Sequence, residues 1–210
     1  MQRIKVEDGA RAAIVQAAEW EFVTKGYESV TLEQIADEVG VPASMVRGQF
    51  ATTAELLQAI VVPFDSALDA AIDRYGHGDR ALSPVERIAL LTVLVDIYCE
   101  HRAVVLLLLR EISSNWPVHI NPQHEHRHER LVALLAGDHA TAEHRVVVNA
   151  VLGVIARPLL DPAIDTGDVR TRRLLVAMAT DTAKRLGSEA SRSWADGPRA
   201  PEPHQGLVSP

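Results

Sequence analysis

Apolar residues recur at helical spacing through most of the chain, and no run alternates as a strand would. Ala13, Ile14, Ala17, Ala18, Trp20, Phe22 and Val23 predict a first helix with a wide apolar face, stopped at Lys25-Gly26. Thr31 followed by Gln34 is a capping box, in which each residue's side chain meets an orphan amide of the other. Ile35, Ala36 and Val39 continue the buried face of this second helix. Gly40 supplies the left-handed backbone of a tight turn, and Pro42 opens the next helix where its missing N–H costs nothing. Met45, Val46 and Phe50 would pack that short helix inward, with Gly48 inside it. Thr52 with Glu55 reads as a second capping box.

The pattern predicts longer helices beyond this point. One runs from Thr53 through Leu57, Ile60 and Leu68 to Tyr75, with Pro63 expected to kink or split it. Ser83-Pro84-Val85-Glu86 is the clearest start signal, for a helix reaching about His101. Val104 to Leu109 is apolar on all sides and therefore expected to be buried on all sides. A loop around Trp116 precedes a helix over about 123–136. Two further helices are expected, over about 140–159 and 166–186. From Gly187 onward, Ser, Pro, Ala and Gly predominate, which predicts disorder. The fold class is all-α, with about nine helices in two parts. A head of about three helices spans 8–60, with a helix-turn-helix at 31–50. A larger body spans 61–187, and a disordered tail spans 188–210.

A short helix held across a tight turn is the geometry that enters a DNA major groove. Charge complicates that expectation. The chain of 210 residues has a formal net charge of −7. In its first 60 residues, five basic side chains (Arg3, Lys5, Arg11, Lys25, Arg47) stand against nine acidic ones, leaving −4. Phosphate neutralisation by Lys and Arg supplies most nonspecific DNA affinity, so the head is expected to bind more weakly than a basic one. Aromatic residues make up only 4% of the chain, so the core is aliphatic. The single Cys99 excludes an intramolecular disulfide. The absence of a long apolar run or a leader pattern predicts a cytoplasmic protein.

The stretch from Ala10 to about Ile60 resembles the TetR family of bacterial transcriptional regulators. The matching residues are Phe22 through Gly26-Tyr27, Thr31, Ile35-Ala36, Gly40-Val41, Phe50 and Glu55-Leu56. The resemblance implies a homodimer that binds a palindromic operator and is released from it by a small molecule held in the body. It also implies dimerisation through the last two long helices as a four-helix bundle. Val147, Val151 and Val154 on one stripe, with Leu174, Leu175 and Met178 on the other, are the candidate interface. The same stripes could instead pack only within their own body.

The DNA-facing positions depart from the family pattern. Arg47, Gly48 and Gln49 stand where the family commonly carries tyrosine and histidine-type residues, and Thr53 replaces a frequent lysine. Arg47 can grip a phosphate or reach a guanine edge, and Gln49 can pair with adenine or with phosphate. Thr53 can still donate to phosphate at a helix N-terminus, without a charge. Glu33 would repel phosphate. Thr31, Ser44, Arg47, Gly48, Gln49, Thr52 and Thr53 form the candidate DNA-binding set, with Arg3, Lys5 and Arg11 as possible phosphate or minor-groove contacts.

Candidate effector-pocket residues are Ile97, His101, Leu108 and Trp116, whose aliphatic setting suits a lipophilic molecule. Asp96, Glu100, His101, Arg102, Arg110 and Glu111 can line such a pocket or form structural ion pairs, and pairing is the favoured reading. His124 and His128 at i, i+4 have a spacing that zinc can use, with Glu125, Glu129 or His119 as further ligands. A solvated polar helix start is the reading adopted, so no metal or cofactor is assigned. No phosphate loop or nucleophile elbow appears, which argues against an enzyme. The alternative function is a TetR-like dimer that has lost DNA binding and acts as a protein–protein adaptor.

Overall fold

The computed structural model describes residues 2–76, 82–111, 124–137 and 139–186, with side chains over these ranges except at 2–8, 111 and 124. The loop around Trp116 and the tail 188–210 lie outside them. Among the described residues there are nine α-helices and no strand. They are α1 (Gln2–Lys25), α2 (Leu32–Val39), α3 (Ala43–Arg47), α4 (Thr53–Tyr75) and α5 (Pro84–Glu100), then α6 (Arg102–Glu111), α7 (His124–Ala136), α8 (Ala142–Ala156) and α9 (Val169–Ala183). No helix of the described residues is long and apolar enough to cross a membrane.

The head closes around Ile14, Phe22, Ile35, Val46, Phe50 and Leu56, all at most 2% exposed. Trp20 does not join them and is 63% exposed. It precedes Phe22 by two residues, about 200° around a helix of 3.6 residues per turn, so the apolar face of α1 is narrower than its composition predicts. Met45 is likewise outside, at 44% exposure, because Val46 takes the inward position on α3.

The Thr31–Gln34 capping box forms as expected, with the Thr31 amide donating to Gln34 Oε1 at 2.9 Å and the Gln34 amide to Thr31 Oγ1 at 3.3 Å. Gly40 takes φ 74°, and the Val41 amide closes the turn onto the Ala36 carbonyl at 2.9 Å. At the start of α4 the expected box is shifted. Thr52 caps the Glu55 amide, but the Glu55 carboxylate accepts from Ala51.

Pro63 does not split α4, which runs as one element of 23 residues. The proline is exposed, so its ring and lost hydrogen bond face solvent. Ile60, Val61 and Phe64, buried on either side of it, hold the helix to the core. Burial of α6 is also incomplete. Val104, Val105 and Leu107 are buried, while Leu106, Leu108 and Leu109 are only half-buried.

Ionic contacts fix the body. Arg102 donates to the carbonyls of Leu159, Asp161 and Ile164, tying α6 to the α8–α9 connection. Arg172 of α9 bonds Asp96 of α5 at 2.9 Å. Arg145 of α8 makes a bidentate pair with Glu129 of α7.

Candidate functional site

The turn between α2 and α3 brings the candidate DNA-binding residues to one end of the head. Thr31 is exposed and committed through its hydroxyl to capping α2. Ser44 is exposed on the first turn of α3. Arg47 is 57% exposed on the last residue of α3 and ion-paired with Glu33 of α2. The Glu33 carboxyl is held below its usual value by its own backbone amide first, then by the Arg47 charge and the Thr31 hydroxyl. Gly48 is not inside α3, as the sequence predicted, but caps it. A Cβ there would lie 3.2 Å from the Ser44 carbonyl oxygen, so glycine leaves this end of the helix slim. Gln49 is half-buried. Thr52 is exposed, and Thr53 is the half-buried first residue of α4.

The head's described cations are all engaged. Arg11 stacks on Phe50, its guanidinium carbon 4.2 Å from the ring centroid, and donates to the Gln49 carbonyl at 3.4 Å. Lys25 pairs with Glu21, and Arg47 with Glu33. The side chains of Arg3 and Lys5 lie outside the described ones. The negative formal charge of the head is therefore matched by a surface on which each described positive group already has a neighbour.

A cavity of about 210 Å³ lies in the body. Phe64 and Leu68 of α4, Tyr98 of α5, and Leu108 and Leu109 of α6 form one side, while Leu131 of α7 and Leu152 of α8 face them. The half-burial of Leu108 and Leu109 follows from this opening. Of the pocket residues expected from sequence, Leu108 lines it. Ile97 is in the core, and the His101 ring packs edge-on against Phe64 at 5.8 Å, behind the wall. Trp116 is outside the described residues. A more open groove of about 480 Å³ between α5 and α9 has the Arg172–Asp96 pair in its lining.

One polar edge of the cavity escaped the sequence reading. Arg127 of α7, only 4% exposed, donates twice to Asp69 at 2.8 and 2.9 Å and once to Asp65 at 2.9 Å. Arg130 pairs with Asp73 one turn on. Burial raises the Asp65 carboxyl above its ordinary value, whereas hydrogen bonding from Arg127 lowers that of Asp69. Asp65, Asp69 and Asp73 recur every four residues on α4, a spacing visible in the sequence, but nothing in sequence pointed to α7 as their partner. His128 Nε2 donates to Asn149 Oδ1 at 2.6 Å, and Glu129 is taken by Arg145, so neither is free for a metal in this arrangement. His119 and the His124 side chain lie outside what is described.

On α8 and α9 the candidate interface residues divide. Val151 and Leu175 are at most 3% exposed and belong to the chain's own core. Val147 and Val154 are half-buried, while Leu174 is 61% and Met178 43% exposed, beside the equally uncovered Val146.

A helix-turn-helix head shares the long helix α4 with an all-helical body that carries an apolar cavity. Residues 14–60 match the family model described as bacterial regulatory proteins, tetR family, so the head carries the TetR signature. The fold of the chain is that of solved TetR-family regulators. One from Rhodococcus RHA1 superposes with a TM-score of 0.66 at 22% identity, over 84% of this chain and 96% of that one. The ketosteroid transcriptional regulator KstR2 of Mycobacterium tuberculosis gives 0.64 at 17% identity, over 84% and 93%. A family member from Streptomyces coelicolor gives 0.66 at 19%, over 81% and 88%. No curated protein matches the chain by sequence.

Proposed function

We propose that this chain is a ligand-responsive repressor that binds a palindromic operator as a homodimer in the cytoplasm and leaves it when a small lipophilic molecule fills the body cavity. The observation that carries this reading is the path of α4. Its first turns put Leu56 and Leu57 in the head core, and two to three turns later Phe64 and Leu68 line the cavity. Filling the cavity pushes on a helix whose other end carries the head. A second route runs through α6, where Leu108 and Leu109 face the cavity and Arg110 donates to the Val23 carbonyl of α1.

In this reading Ser44, Arg47 and Gln49 meet base edges, with Gly48 allowing close approach. Thr31, Thr52 and Thr53 meet phosphates, aided by the free amides that begin α4. Val146, Val147, Val154, Leu174 and Met178 meet their counterparts in a second copy, which covers apolar surface a monomer rarely leaves exposed. Titration of wild type and Arg47→Ala against the DNA upstream of the gene, at low salt, tests the assignment. Selective binding by wild type that weakens in Arg47→Ala supports it. Equal, weak and unselective binding by both overturns it.

The engagement of Arg47 by Glu33, in a head of net negative formal charge, favours one second reading: a helical dimer acting as a protein–protein adaptor. Dimerisation without any DNA protection at low salt would select it.

A further inference from the structure

We infer that the body cavity takes a compact, electrically neutral, largely aliphatic molecule carrying one hydrogen-bond-accepting oxygen, such as an alcohol or ketone, and rejects both carboxylates and amines. This rests on the ligand-controlled reading above and assigns its chemistry.

Size comes first. At about 210 Å³ the cavity is smaller than the roughly 300–1,000 Å³ that encloses a drug-sized ligand. Its walls are Leu, Val and Phe side chains, so most of the occupant's surface must be apolar. Among the described lining residues, the polar side chains are those of Tyr98, Arg127 and His128.

Tyr98 and Arg127 present donors to the cavity. The Tyr98 hydroxyl has no hydrogen-bond partner among the described residues, and burial pushes its pKa up to about 12, so it stays protonated and able to donate. Arg127 has five N–H groups. Three go to Asp69 and Asp65, which leaves two uncommitted beside the cavity. His128 is held by Asn149.

The same cluster decides the charge of the occupant. The Arg127 guanidinium is already engaged by Asp65 and Asp69, so an anion would find its charge spent. A cation would meet the guanidinium edge itself. Either ion would also lose its water to an apolar wall, and burying an unpaired charge is costly. A neutral oxygen accepts from Tyr98 and Arg127 without that loss.

Three molecules of one skeleton test this on the full-length chain: cyclohexylmethanol, cyclohexanecarboxylate and cyclohexylmethylammonium, titrated by calorimetry. Cyclohexylmethanol is expected to bind saturably and at least about tenfold tighter than either ion. Tyr98→Phe should weaken it by about two- to tenfold, the worth of a neutral hydrogen bond. Leu108→Phe enlarges a half-buried side chain that lines the cavity. It should fold normally and lose most of the binding. Tighter binding of either ion, no saturable binding of the alcohol, or binding unchanged in both variants overturns the proposal. Operator retention is measured on the same samples. Alcohol binding that leaves DNA retention unchanged would uphold the cavity chemistry and overturn the ligand-controlled reading instead.

Discussion

Arg47 and Glu33 decide how this head meets DNA. The only cation on α3 is tied to a carboxylate on α2, and both side chains are about half exposed. An exposed pair of this kind is worth little to stability, with measured values mostly between 0 and about 1 kcal/mol. Its larger effect is on charge and aim. While paired, Arg47 offers phosphate no net charge, yet the pairing also holds the guanidinium in a fixed place from which a base edge can be read. Glu33→Gln should therefore tighten binding to random-sequence DNA and steepen the salt dependence by up to about one counterion-equivalent. The preference for operator over random DNA should shrink. Fluorescence anisotropy over a salt series reads both quantities, and an unchanged slope with unchanged selectivity would show that Glu33 has no part in recognition. Arg11, a candidate phosphate or minor-groove contact, is exposed with its guanidinium stacked on Phe50. A stacking partner 39 residues along the chain has no signature at the arginine itself.

At the scale of elements, local chemistry made the helix boundaries legible. Thr31 with Gln34 and Ser83 with Glu86 announced their capping boxes, because the interactions they encode lie within one turn. Gly40 marked the turn of the helix-turn-helix for the same reason, and its φ of 74° carries a direct test. No atom lies within 4 Å of a Cβ there, so Gly40→Ala costs only backbone strain, about 1–2 kcal/mol. Denaturant unfolding should show that loss, and an unchanged midpoint would mean the turn relaxes. The features that were not legible depend on distant partners. Pro63 leaves α4 whole because packing on both sides of it outweighs a local defect on the solvent side. Likewise Asp65, Asp69 and Asp73 could be placed on one face of α4, but their arginines on α7 could not. That contact has a pH signature. The Asp69 pKa is lowered on folding, so its stabilisation is fully present above the ordinary aspartate value of 3.8 and is lost as acid carries the pH below it. The stability gap between wild type and Asp69→Asn should therefore narrow as pH falls through that range. A gap independent of pH would mean the carboxylate charge contributes nothing.

For the whole molecule, the body was legible as helices but not as a container. Val104 to Leu109 reads as fully buried because sequence cannot distinguish a side chain facing a core from one facing a cavity. The same ambiguity affected α8 and α9, whose apolar stripes contain both core residues such as Val151 and Leu175 and uncovered ones such as Leu174. Leu174→Asp separates the two roles. At 61% exposure it should change the stability of the isolated chain by no more than about 0.5 kcal/mol, yet sedimentation should show it as a monomer where wild type is a dimer. Equal sedimentation of the two would remove these helices from the interface. The cavity, the shared α4 and the head make one machine only if the head reads DNA. Footprinting of the DNA flanking the gene, at low salt with and without excess competitor, tests that claim most directly. The account predicts protection of two symmetric half-sites about 34–36 Å apart, or a multiple of that distance, persisting against competitor. Uniform weak protection that competitor abolishes, or none at all, would contradict it.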